Sequence, residues 1–200
     1  MKSENLVVKD DWYKKISNYL KQNFSKKNNL LKLLCFVIAL IIVLVPSLTC
    51  NLLIRDGQWT KGVVYNDGIA FSALRGKTTL VYVIQSLICF VILIAIIFTN
   101  KWYYFTLLSL AFLGGLFNIV DRATQYLSPT SIAFWGPNTV IDYLNTGNTT
   151  SNFPDVFILI GVIGFTVLYL IMSIFNITRE KKKSEKTETK EPINDEKNKS

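Results

Sequence analysis

Four stretches of this chain, residues 30–54, 79–99, 103–120 and 156–177, are each apolar over about the 20 residues that a helix needs to cross a bilayer. None carries a charge in its middle; Lys32 falls in the first turn of the first stretch. Four spanning helices leave little chain for a separate globular domain. The expected fold is therefore an all-α membrane protein with four transmembrane helices over residues 30–178. A basic N-terminal extension (1–29) precedes it, and a charged tail (179–200), expected to be disordered, follows.

The formal charge of +8 comes largely from the ends. Lys2, Lys9, Lys14, Lys15, Lys21, Lys26 and Lys27 precede the first span, and REKKKSEKTETKEPINDEKNKS follows the last. Neither end carries a nucleic-acid-binding motif, so no nucleic-acid partner is expected. Beside apolar spans, the lysines place both termini in the cytoplasm under the positive-inside rule, and an even number of spans agrees. Trp12, Ile16, Tyr19 and Leu20 share a helical face, compatible with an interfacial helix or with a solvated extension. Basic residues, an apolar run and SLTC (47–50) imitate a cleaved leader, but three more spans follow, so an uncleaved helix is expected.

The chain has no histidine, which removes histidine-based nucleophilic catalysis and the two-histidine zinc helix. Cys35, Cys50 and Cys89 are far apart in apolar surroundings, read as packing residues rather than as disulfide or metal ligands. No metal or cofactor is expected.

What remains is a set of polar groups where spans meet the outer boundary. NDGIAF (66–71) precedes the second span, FNIVDR (117–122) ends the third and NFPDVF (152–157) begins the fourth. Topology places all three clusters on one side. GQWTKGVVYNDGIAFSAL (57–74), with its glycines and β-branched residues, predicts short strands at that interface. In a helix Asn118, Asp121 and Arg122 share a face. Asn152 and Asp155 repeat the N-x-x-D spacing, with Pro154 suited to a first helical turn. Ionisable groups at membrane depth are costly and usually face a partner or a water-filled cavity. Asp121 and Asp155, at one depth, suggest an aspartyl dyad: close carboxylates cannot both ionise cheaply, so one holds a proton while the other takes one from water. The alternatives are a non-enzymatic four-helix scaffold, with Asp121–Arg122 a boundary ion pair and Asp155 a helix-terminal charge, and a proton-coupled transporter. Carboxylates at helix ends on one side argue against the transporter.

At these residues the chain resembles lipoprotein signal peptidase (signal peptidase II), an intramembrane aspartyl protease family. YNDGIAFS (65–72) resembles N-x-G-A-A-F-S, and GGLFNIVDR (114–122) resembles G-G-x-x-G-N-x-x-D-R, one residue shorter. VIDYL (140–144) resembles V-x-D-F, and NFPDVFILIG (152–161) resembles F-N-x-A-D with its following span. The resemblance implies Asp121 and Asp155 as the catalytic pair. It implies support or substrate binding by Asn66, Gly68, Phe71, Asn118, Arg122, Asp142 and Asn152, with Asp142 a neighbour of the dyad rather than a member. The family's helix-one D-Q-x-T-K is matched only by Thr49 in PSLTC (46–50), unless GQWTK (57–61) replaces it; an inactive homologue is the corresponding alternative. The implied substrates are prolipoproteins whose cysteine carries diacylglycerol, cut just before that cysteine by a monomeric enzyme of the bacterial cell membrane, in contact with its lipid. Segments 57–74 and 123–151, the latter with Trp135, Gly136 and Pro137, are expected to gate the site.

Overall fold

The computed structural model describes residues 14, 17–18, 26–69, 73–127 and 139–188. Four helices are long and apolar enough to cross a membrane. They are α1 (Lys26–Arg55), α2 (Thr78–Phe98), α3 (Trp102–Leu127) and α4 (Phe153–Glu188). Between them lie four short strands, β1 (Val64–Asn66), β2 (Val140–Asp142), β3 (Leu144–Asn145) and β4 (Thr150–Ser151). The expected mostly helical membrane architecture with a small β-rich segment is what the chain forms. The chain divides into two compact units, Met1–Val162 and Ile163–Ser200, with the boundary inside α4. In the second unit Phe165 and Tyr169 stack one turn apart, with centroids 6.0 Å apart.

In the first unit, α3 packs against both α1 and α2. Ala39 and Val43 of α1 meet Leu113 of α3, with Phe36, Leu110, Phe112 and Phe157 around them. The outer faces of α1 and α2 carry exposed Leu, Ile, Val and Phe, the surface a bilayer covers. Lys32 does not lie in lipid: its ammonium donates to the Thr99 carbonyl at 2.7 Å and sits 5.7 Å over the Phe105 ring. A cation at the carbonyl end of α2 meets the negative pole of that helix. The turn Thr99–Lys101 is thereby tied to α1, and Asn28 reinforces it by donating to the Asn100 carbonyl at 3.3 Å.

The strand predicted within 57–74 exists as β1, but its partner is distant. β1 pairs antiparallel with β2, Tyr65 opposite Ile141 and Asn66 opposite Val140. β3 and β4 form a second pair across a turn in which Gly147 takes φ +91, a conformation other residues adopt poorly. Beneath these strands Cys50 and Ile54 of α1 pack with Ile141 and Tyr143, and Trp59, Tyr65 and Phe153 close the cluster. All three cysteines are free.

Two boundaries differ from the sequence expectation. α3 runs on past Arg122 to Leu127, and α4 runs through the charged residues after Arg179 to Glu188. Arg, Glu and Lys are good helix formers, and extending an existing helix avoids the cost of nucleation. The segment 128–138, with Trp135, most of the N-terminal extension, and residues 189–200 lie outside the described residues.

Small residues let α4 approach α3. A Cβ on Gly114 would lie 2.5 Å from the Pro154 carbonyl oxygen, and one on Gly161 would lie 2.5 Å from that of Leu107. Both obstacles are backbone, which cannot swing aside. Gly114→Ala is therefore expected to destabilise the protein by about 1–3 kcal/mol, read as a lower thermal unfolding midpoint in detergent. Val120→Ala, on the exposed flank of α3, is the control and is expected to stay within about 0.5 kcal/mol.

Candidate active site

Where α3, the start of α4 and the β1–β2 pair meet, seven polar residues and Gly68 converge. Asn118, Asp121, Arg122, Asp142 and Asn152 are between 1% and 5% exposed. Asn66 and Asp155 are half-buried, and Gly68 is buried. The structure thus gathers every site residue expected from the sequence except Phe71, which lies outside the described residues.

Asn152 is the cap of α4. Its Oδ1 accepts the Asp155 backbone N–H at 2.9 Å, so Asp155 falls in the first turn, beside Pro154. The Asn152 amide nitrogen donates to Asn118 Oδ1 at 3.0 Å, and Asn118 Nδ2 donates to Asp155 Oδ1 at 2.7 Å. The three residues close a ring of hydrogen bonds that fixes both amide orientations and aims one carboxylate. Each buried polar atom it satisfies would otherwise cost about 1–3 kcal/mol.

Arg122, one turn along α3 from Asn118, reaches the β segment instead. Its guanidinium donates to the carbonyls of Asn66, at 3.1 Å, and Gly68. Asn66 Oδ1 accepts the Gly68 N–H at 2.9 Å, a side-chain-closed turn. Asn66 Nδ2 then donates to Asp142 Oδ2 at 3.0 Å. Asp142 Oδ1 is buried without a hydrogen-bond partner among the described residues.

Burial, and then the charge of Asp155, push the Asp142 carboxyl up to about 7. The Asn66 hydrogen bond and Arg122 oppose the rise, and Asp121 adds to it as the least of these influences. The charge of Asp155 is thus felt at the Asp142 carboxyl. Next to Asp142, burial also raises the Tyr143 hydroxyl. That hydroxyl accepts the Phe153 N–H at 3.3 Å and ties β2 to the α4 cap.

Asp121 is differently engaged. Its Oδ1 accepts from Asn51 Nδ2 at 3.0 Å and pairs with Arg55 at 3.5 Å. Its Oδ2 accepts the Ile141 backbone N–H at 3.2 Å. It joins α1, α3 and β2, so both its oxygens are in use. Asn51 and Arg55 are the residues that sequence reasoning missed. N-L-L-I-R (51–55) has the same separation as the Asp and Lys of D-Q-x-T-K, with an amide for the acid and Arg for Lys. Thr49, the expected counterpart, instead bonds back to the Val45 carbonyl at 2.7 Å on the exposed side of α1.

A family model for signal peptidase (SPase) II matches residues 49–175, which hold all of these groups. The chain belongs to the signal peptidase II family. It is 30% identical over 203 residues to the lipoprotein signal peptidase of Malacoplasma penetrans, covering 92% of this chain and 82% of that relative. It is 35% identical over 112 residues to that of Mycoplasma genitalium, covering 54% of this chain and 56% of the relative. A solved bacterial membrane enzyme shares the fold, with a TM-score of 0.53 at 19% identity over 76% of this chain and 92% of that one. Family membership makes this bacterial membrane protein a protease and disfavours the scaffold reading.

The Asp142 shift has a consequence for stability. The native carboxyl holds its proton up to about pH 7, whereas a free aspartate releases it near 3.8. Its stabilising contribution is therefore complete below the lower value and lost as pH rises through the upper one. Asp142→Asn, which cannot ionise, is expected to melt above the parent near pH 8, with the gap closing toward pH 4, in thermal unfolding followed across that range.

Proposed function

We propose that this chain is an aspartic endopeptidase that removes signal peptides from prolipoproteins, cutting before a cysteine that carries diacylglycerol, with Asp142 and Asp155 as its catalytic pair. The observation that carries the pairing is the bare, buried Oδ1 of Asp142 beside the charge of Asp155. A carboxylate that activates water or protonates a carbonyl must keep an oxygen for the purpose. Asp121 has none to offer, since Asn51, Arg55 and Ile141 occupy both. This reading moves the partner of Asp155 from Asp121, expected from the sequence, to Asp142. It makes Asp121 the residue that positions β2.

Asp142 holds the shared proton near neutrality. Water attacks the scissile carbonyl carbon while Asp155 takes its proton and Asp142 gives one to the carbonyl oxygen. The tetrahedral intermediate then collapses. Asp155 delivers its proton to the leaving nitrogen, the C–N bond breaks, and Asp142 recovers a proton from the hydroxyl that becomes the new acid. Asn118 and Asn152 aim one carboxyl, and Asn66, held by Arg122, aims the other. Neither histidine nor a covalent intermediate is used. Gly68 and Arg122 brace the β segment against which an extended substrate would lie.

The lysine-rich ends support an orientation with both termini in the cytoplasm, the strands on the outer face, and the enzyme acting as a monomer in the bacterial cell membrane. Diacylglycerol then anchors the substrate at the depth of the pair.

The test compares aspartates in a cleavage assay with a diacylglyceryl prolipoprotein. Asp142→Asn and Asp155→Asn are expected to lower kcat by about a thousandfold or more, with the fold retained. Asp121→Asn is expected to retain measurable turnover at a lower thermal midpoint. Full loss in Asp121→Asn together with an active Asp142→Asn would return the pair to Asp121 and Asp155. The rate should also fall as pH rises above about 7, where Asp142 loses its proton.

A further inference from the structure

Among the described residues of the first unit, Gln85, Asn100 and Ser109 each have a buried side-chain atom that no hydrogen bond and no part of the dyad uses. Gln85 lies within α2, and its Oε1 is buried with no hydrogen-bond partner among the described residues. Its neighbours fix the direction in which it faces. Tyr82, one turn nearer the strands, lies within the influence of the charges of Arg122 and Asp121. Cys89, one turn the other way, abuts Gly115, where an added Cβ would lie 2.7 Å from the sulfur. Tyr82, Gln85 and Cys89 occupy one face of α2, as Gly115, Asn118 and Arg122 occupy one face of α3. The Cys89–Gly115 approach and the antiparallel course of the two helices put Gln85 level with Asn118, whose amide donates to Asp155.

An intramembrane protease must open a substrate helix to reach its peptide bond. Opening frees backbone N–H groups at a depth where water is scarce, and each left unsatisfied in hydrocarbon costs several kcal/mol. A buried carbonyl oxygen beside the cleavage site is the group that can receive one. We propose that Gln85 is a substrate-positioning residue, whose Oε1 accepts a backbone N–H of the unwound signal peptide next to the scissile bond. This rests on the peptidase reading above, and it assigns to α2 a share in binding that the sequence motifs leave to the other elements.

The experiment uses the full chain in detergent-solubilised form with a diacylglyceryl prolipoprotein peptide. Gln85→Met keeps the length of the side chain and removes its hydrogen bonding. It is expected to raise KM about tenfold, the worth of one hydrogen bond, with the thermal midpoint unchanged or raised because an unsatisfied acceptor has gone. A second arm uses substrates N-methylated at one backbone nitrogen at a time on the signal-peptide side of the cut. At one position the parent should lose about tenfold and Gln85→Met no further. Equal kinetics of parent and Gln85→Met, a lowered thermal midpoint, or additive losses at every methylated position would each overturn the assignment. Absence of cleavage by the parent would instead bring down the peptidase reading, and this inference with it.

Discussion

Everything at the site depends on Asn118. Its side chain stands where α3 meets the first turn of α4, and both ends of its amide are engaged there, receiving from the cap and giving to a carboxylate. A polar group at that depth has no solvent to fall back on, so its partners must be supplied by neighbouring elements at fixed distances. That requirement converts helix packing into side-chain aim. Gly114, one turn below, allows the approach, and Pro154 can sit against it because the first turn of a helix has no use for the missing N–H.

The same logic explains why so short a sheet suffices. Three residues of β1 against three of β2 would not hold in water alone. Here Arg122 grips β1 through two carbonyls and Asp121 grips β2 through a backbone N–H. Adjacent residues of one helix thus hold the two strands from below, and Asn66 joins them across to Asp142. The ion pair of Arg55 with Asp121 extends the brace to α1. Arg55 stays partly exposed while Asp121 is buried, so one partner keeps contact with the outside and the cost of burying charge falls mainly on the other.

The spans were legible from hydropathy alone, because nothing else explains four apolar runs of that length with no charge in their middles. The convergence of Asn66, Gly68, Asn118, Arg122, Asp142, Asn152 and Asp155 was legible too, from topology and motif order. The pairing of carboxylates proposed above was not. Sequence spacing places Asp121 and Asp155 at one depth, but depth does not say which oxygens are already taken. That depended on Asn51 and Arg55, whose match to the helix-one motif is hidden by two conservative changes at preserved spacing. It depended also on β2, which pairs with a strand some seventy residues earlier, a contact no local pattern signals. The end of α4 was missed for a different reason. Composition points to a polar tail, yet a run of Glu and Lys still prolongs a helix that is already formed.

The long-range pairing of β1 with β2, and the arrival of Asp155 only on α4, set an order for biogenesis. On the proposed pairing, a ribosome that has delivered three spans has supplied Asp142 without the carboxylate it would act with. Such a half-made chain lacks one member of that pair until the segment carrying Asp155 is made. Competence to cut then waits on the last span, because the two carboxylates of the proposed pair come from opposite sides of its insertion.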